Sequence, residues 1–178
     1  MEANALLQEI AHARRAFIGT IARLDPAAVR RPLGPGRWSP LEYLEHLVRA
    51  EEATVWRMFG AVEEARAGGP APEARRPDAS IERIVDETWK EAEEAPPLAV
   101  PSLGGSAAYW TARLEAQQPI VSGLVDRLAE GELDGVAYLH PISGPFTLRQ
   151  ALQFIRFHLD RHREHIEEAP RDGRGGDA

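Results

Sequence analysis

The chain has 178 residues, 43% of them hydrophobic and 28% charged. That length and balance fit one globular domain and are too apolar for intrinsic disorder. With 28 acidic against 21 basic residues (net charge −7) and no cysteine, the chain lacks the basic excess of a phosphate-backbone binder, and disulfides, Cys-zinc sites and cysteine nucleophiles are excluded.

No apolar run approaches the length of a membrane span. The N-terminal MEANALLQEIAHARR has no uninterrupted apolar stretch and does not read as a secretory signal. These features predict a cytoplasmic protein with no membrane or nucleic-acid partner. Residues 1–169 read as a single domain and 170–178, PRDGRGGDA, as a flexible tail.

The first helix is expected from about Glu2 to Leu24. Leu6, Leu7, Ile10, Ala13, Phe17, Ile21 and Leu24 recur at steps of three and four. Asp25-Pro26 ends it or starts a short helical turn, and the prolines between Arg31 and Gly36 make a loop. The second helix opens on a full start signal: Ser39 as N-cap, Pro40 at the first helical position and Glu42 closing a capping box. Its stripe is Leu41, Leu44, Leu47, Val48, Val55, Met58, Phe59 and Val62, and it stops near Gly68-Gly69-Pro70.

Ser80 or Asp78 caps a third helix through Glu94, with Ile81, Ile84, Val85 and Trp89 on one face. A fourth runs from about Ser106 to Ala129, with a kink or break expected just before Pro119. The last starts at Thr147, which forms a second capping box with Gln150, and buries Leu148, Leu152, Ile155, Leu159 and Ile166. No strand alternation stands out. The expected fold is all-α, a helical bundle.

Three of the six histidines crowd the last helix: His158, His162 and His165. Positions i and i+4 lie one above the other, so His158 and His162 can face one divalent cation. His165 falls on the same flank. Exposed helices also carry such pairs without a metal, so both readings stand at this point. The spacing is not H-E-x-x-H, which leaves a zincin protease unsupported. A third ligand must come from elsewhere. His46 is the candidate, although periodicity puts it on the side of its helix away from the apolar stripe. By pattern alone it is a surface histidine, on a face that Ala50 and Ala53 keep small. His12 reads as a surface residue, and His140 precedes Pro141 in a loop.

Gly36-Arg37-Trp38-Ser39-Pro40-Leu41-Glu42-Tyr43-Leu44-Glu45-His46-Leu47 resembles the W-S-x-x-E-x-x-x-H-L signature of the DinB-like superfamily. His158-x-x-x-His162-Arg163-x-His165-Ile166 resembles its H-x-x-x-H-R-x-Q-I element, and His140-Pro141-Ile142-Ser143-Gly144-Pro145-Phe146-Thr147 the lead-in of some members. The resemblance spans about residues 5 to 168. It implies a four-helix bundle of DinB type with long crossover loops, often a homodimer. It also implies a metal held by His46, His158 and His162. His165 stands where the family usually has glutamine, so it is expected either to support a ligand or to be a fourth one. The extra helix near 80–94 and Pro119 also depart from the plainest version of the fold.

Zinc or nickel suits three imidazoles. An open position would activate water for hydrolysis of a small substrate, or the thiol of a low-molecular-weight cosubstrate for transfer. Thiol transfer ranks first because similar members include thiol-dependent transferases and isomerases. Glu51 and Glu45 are candidate supports for an imidazole N–H, although Glu45 reads equally as a solvated carboxylate. Arg161 and Arg163 would attract an anionic substrate or form surface pairs with Asp160, Glu164 or Glu167. The competing expectation is a non-catalytic, metal-stabilised helical dimer with a stress-related binding role.

Overall fold

Four long helices form the bundle, and three of them carry apolar stripes read from the sequence. The computed structural model describes residues 3–70, 72–74, 76–89, 95–129 and 131–169. In chain order these are α1 (Ala3–Ala22), a 3-10 turn (Ala28–Arg30), α2 (Pro40–Arg66), α3 (Ile81–Thr88), α4 (Ala107–Val125), α5 (Glu132–Gly135), β1 (Ala137–His140), β2 (Gly144–Thr147) and α6 (Leu148–Glu167). The expected end of the third helix at Glu94 and the tail from Pro170 lie outside the described residues.

Both capping boxes form. The Ser39 hydroxyl accepts from the Glu42 N–H at 3.3 Å while the Glu42 carboxylate accepts from the Ser39 N–H at 2.7 Å. Thr147 and Gln150 repeat the exchange at 3.1 Å in each direction. Two orphan N–H groups are thereby satisfied at each start, which pins where α2 and α6 begin.

Helix α6 packs on α1 and α2, and α4 packs on the same two. The order around the bundle is therefore α1, α6, α2, α4, which seats the second and last long helices side by side. Phe17, Leu44, Met58, Trp110, Leu114 and Leu152 are among the core side chains at 2% exposure or less. Each large apolar group so buried contributes about 1.5–3 kcal/mol.

Two expectations are corrected here. Of the kink or break expected at Pro119, the break does not occur: α4 runs continuously through it. Pro119 and Glu115, the residue whose carbonyl loses its helical partner, both lie on the exposed side, where water can satisfy that carbonyl. Strands are also present: β1 and β2 form an antiparallel hairpin pairing Ala137 with Thr147 and His140 with Gly144. Each strand is four residues long, too short for alternation to register as a period. Gly144 sits at φ 81°, a backbone state that favours glycine and closes the turn. The hairpin lies against α2 and feeds directly into α6.

Candidate metal centre

Because α2 lies beside α6, His46 meets His158 and His162. The Nε2 of His46 is 3.0 Å from that of His158, and the Nε2 of His162 is 2.9 Å from it. One ligand atom from each residue falls within 4.8 Å of the other two. All three side chains are buried, at 5%, 6% and 7% exposure.

Hydrogen bonding decides what those nitrogens can do. His46 donates its Nδ1–H to the Ala99 carbonyl at 2.8 Å, so its Nε2 presents a bare lone pair to the cluster. A neutral His158 can offer at most one Nε2 proton to its two neighbours, so three such nitrogens cannot all be satisfied by one another. A single cation accepting three lone pairs removes the conflict. Ligands about 2.0–2.1 Å from a tetrahedral ion lie about 3.3 Å apart, within a few tenths of an ångström of the separations seen. The donor set and its geometry therefore fit a divalent cation.

The electrostatics agree. Burial pushes the His46 imidazole down to about 4, with the Arg49 charge adding to it against the Ala99 hydrogen bond. Burial, then the neighbouring histidines and Arg161, holds His158 and His162 well below the ordinary range. All three are neutral at pH 7, the state a metal ligand needs. Aromatic rings wall the site. Trp38 lies 4.8 Å from His46, Tyr43 4.9 Å from His162, and Phe154 stacks on His158 at 5.1 Å, measured between ring centroids.

The family model of the DinB superfamily matches residues 9–166. The chain belongs to the DinB superfamily. Similar solved structures include YfiT from Bacillus subtilis, described as a probable metal-dependent hydrolase with an unusual four-helix bundle topology. It is 16% identical, with a TM-score of 0.65 over 95% of this chain and 87% of YfiT. TT2238, a four-helix bundle protein, is 17% identical with a TM-score of 0.61, covering 92% of this chain and 97% of its own. A conserved protein from Enterococcus faecalis is 14% identical with a TM-score of 0.59, covering 95% of each chain. At these identities the likeness is one of fold. No curated protein matches this chain.

In this DinB-superfamily member the periodicity reading of His46 fails. The residue is buried because α2 has neighbours on more than one side: α4, α6, β1 and the 3-10 turn all pack on it. Its non-stripe face meets α6 instead of solvent. His165 stands outside the converging set, half-buried, with its ring 5.3 Å from His162 and 6.1 Å from Tyr43. The Nδ1 atoms of His162 and His165 are both buried without a hydrogen-bond partner among the described residues. His12 is exposed, as expected.

The two carboxylates behave differently from expectation. Glu45 is not solvated; it is 1% exposed. It accepts from the N–H groups of Ser102, Leu103 and Gly104 at 2.7, 2.8 and 3.0 Å, and from Arg49 at 3.2 Å. Burial raises its pKa, but these four bonds together outweigh burial and leave it below the ordinary value. Arg49 also donates to the Leu98 and Val100 carbonyls at 2.9 and 2.6 Å. The pair staples the 98–104 crossover onto α2, and that crossover carries the Ala99 carbonyl that orients His46. Glu51, expected beside an imidazole N–H, bonds the buried Arg14 guanidinium instead. Both groups are far from water, and pairing is the cheapest way to keep them there. Glu51 and His158 do share the wall of a small cavity of about 10 Å³. A larger apolar cleft of about 540 Å³ lies between α1 and α4, lined by Ile18, Ile21, Val29 and Ala108, away from the histidines.

Only Arg49 among the partners of Glu45 is local; the N–H groups of Ser102, Leu103 and Gly104 lie more than fifty residues downstream. A Glu-Arg pair at i, i+4 facing a Ser-Leu-Gly-Gly loop is visible only in hindsight.

Proposed function

We propose that this protein is a divalent-metal-dependent enzyme that holds its cation on His46, His158 and His162, with zinc or nickel as the metal. The observation that carries the reading is the convergence of three neutral Nε2 atoms, one with its tautomer set by Ala99. A cation there supplies Lewis acidity that lowers the pKa of a water or thiol at its open position. The chain's own residues do the rest. Ala99 aims the His46 lone pair, Glu45 and Arg49 hold Ala99 in place, and Trp38, Tyr43 and Phe154 limit water at the site. The reaction proposed is transfer of a low-molecular-weight thiol to a small electrophile, or hydrolysis of a small substrate. The description of YfiT as a probable metal-dependent hydrolase supports the coarser part of this reading.

A non-catalytic, metal-stabilised dimer is the second reading, favoured by histidines only 5–7% exposed. Exposed Trp56, Leu98, Leu103 and Tyr109 offer apolar surface for a homodimer in either case. Metal analysis of the purified chain, with His158→Ala and His162→Ala, tests the centre. The expected result is one metal per chain, lost in both variants without loss of helicity. Full occupancy in both variants under chelator challenge refutes the ligand set. Titrating the Co²⁺-loaded protein with small thiols separates the two readings: a changed visible spectrum supports an open, reactive position, and an unchanged one supports the structural role.

A further inference from the structure

Arg161 is a basic residue near the three imidazoles with no carboxylate partner among the described residues. At 100° per residue Arg161 lies about 60° around α6 from His158, one turn along. Its guanidinium stands 5.9 Å from the Trp89 ring centroid and 6.0 Å from that of Phe157. The Trp89 ring is in turn 6.2 Å from the His158 ring. Among the described residues no carboxylate pairs with Arg161. The acids of its own helix are engaged elsewhere: Asp160 with Arg156 and Arg163, and Glu164 and Glu167 with Arg163.

This posture is built by the hairpin. The Trp89 indole N–H donates to the Ser143 hydroxyl at 2.9 Å, and the Thr88 hydroxyl, which donates to the Ile84 carbonyl, lies 2.8 Å from the same oxygen. Ser143 is fixed by its own N–H, which donates to His140 Nδ1 at 3.1 Å. Trp89 lies nearly parallel to His140, 6.5 Å between centroids and 18° between planes. A cation over an indole face keeps its outward donors available to a ligand.

Charge balance points the same way. Three neutral imidazoles bring no negative charge to a dication, and an uncompensated buried charge is costly. Glu45 spends its oxygens on Arg49 and the loop, and Glu51 is bonded to Arg14. Among the described residues, then, neither of these carboxylates is free to compensate a dication, and an anionic bound molecule would supply that charge.

We propose that the substrates of this centre are small carboxylate-bearing molecules whose carboxylate is received by Arg161, with Trp89 and Ser143 positioning the guanidinium. The proposal rests on the metal-dependent reading above. It is tested with the Co²⁺-loaded full chain, titrated with mercaptoacetate and with neutral mercaptoethanol while the visible absorption is followed. Wild type, Arg161→Gln and, as a control, Arg163→Gln are compared, with metal content and helicity measured for each. Mercaptoacetate is expected to bind about tenfold more tightly than mercaptoethanol. That advantage should vanish in Arg161→Gln and persist in Arg163→Gln, at equal metal content. Equal binding of the two thiols by wild type, or an advantage that survives Arg161→Gln, overturns this proposal and leaves the metal reading intact. Metal bound with no response to either thiol overturns the proposal together with the thiol reading; failure to bind metal overturns the functional reading itself.

Discussion

Replacing Glu45 with glutamine removes one charge and turns one acceptor oxygen into a donor. In the wild type, Oε1 accepts from Ser102 and Leu103 and Oε2 from Gly104, at 2.7, 2.8 and 3.0 Å. The remaining amide oxygen can serve Ser102 and Leu103 as a weaker, uncharged acceptor. The new NH₂ then faces the Gly104 N–H, donor against donor. Weakening the charge-assisted bonds and orphaning one buried N–H together cost about 3 kcal/mol. Loosening the crossover also frees the Ala99 carbonyl from His46, and loss of such ligand support lowers metal affinity about 10–100-fold. Urea unfolding followed by circular dichroism and a chelator competition measure the two effects. The pH dependence supplies a sign. Glu45 is held below its ordinary 4.5 in the folded chain. Its contribution is present above that value and is lost as pH falls through the folded pKa, so the gap between wild type and variant should close in acid. A loss under about 1 kcal/mol with unchanged metal affinity would refute the staple.

Arg14→Met leaves Glu51 buried without its partner and should cost about 3–5 kcal/mol at neutral pH, with most of it recovered in Arg14→Met/Glu51→Leu. Burial, opposed by Arg14, already raises Glu51 to about 7. A raised carboxyl stabilises the fold below its unfolded pKa and loses that contribution as pH rises, so the Arg14→Met defect should shrink towards about pH 5 in urea titrations. His140, at 5% exposure, is pushed down to about 4 by burial. Its contribution to stability is present above the ordinary 6.5 and lost as pH falls towards 4. His140→Asn, which keeps an acceptor for the Ile142 and Ser143 N–H groups, should therefore flatten the acid limb of stability by up to about 3 kcal/mol. His165→Gln should retain metal by elemental analysis, because His165 lies outside the converging nitrogens; loss of metal would make it a ligand.

Much of the bundle is written in local chemistry. Apolar spacing in α1, α2 and α6 and the Ser39 and Thr147 capping boxes depend on residues within a few positions of one another, and they read correctly. The His158–His162 pair belongs to the same class, since one helical turn sets its geometry. The hairpin at Ala137–Thr147 escaped because four-residue strands carry no measurable period. Glu45 stands among the candidates, but its role was not legible because three of its four partners, the N–H groups of Ser102, Leu103 and Gly104, are remote in sequence.

His46 marks the division most clearly. Its helix face, taken from α2 alone, belongs to solvent; the seating of α6 and the Ala99 crossover against that face makes it interior and leaves its Nε2 bare. Which side of a helix is covered depends on what else packs there, and that is a property of the whole chain. Sequence determined that helices form, where α2 and α6 start and which histidines could pair along one turn. Only the packed bundle decided that three imidazoles meet, that Glu51 answers to Arg14, and that Arg161 stands over Trp89. Those contacts join residues tens of positions apart, and the entropy of ordering them is offset only by burial of the complete core.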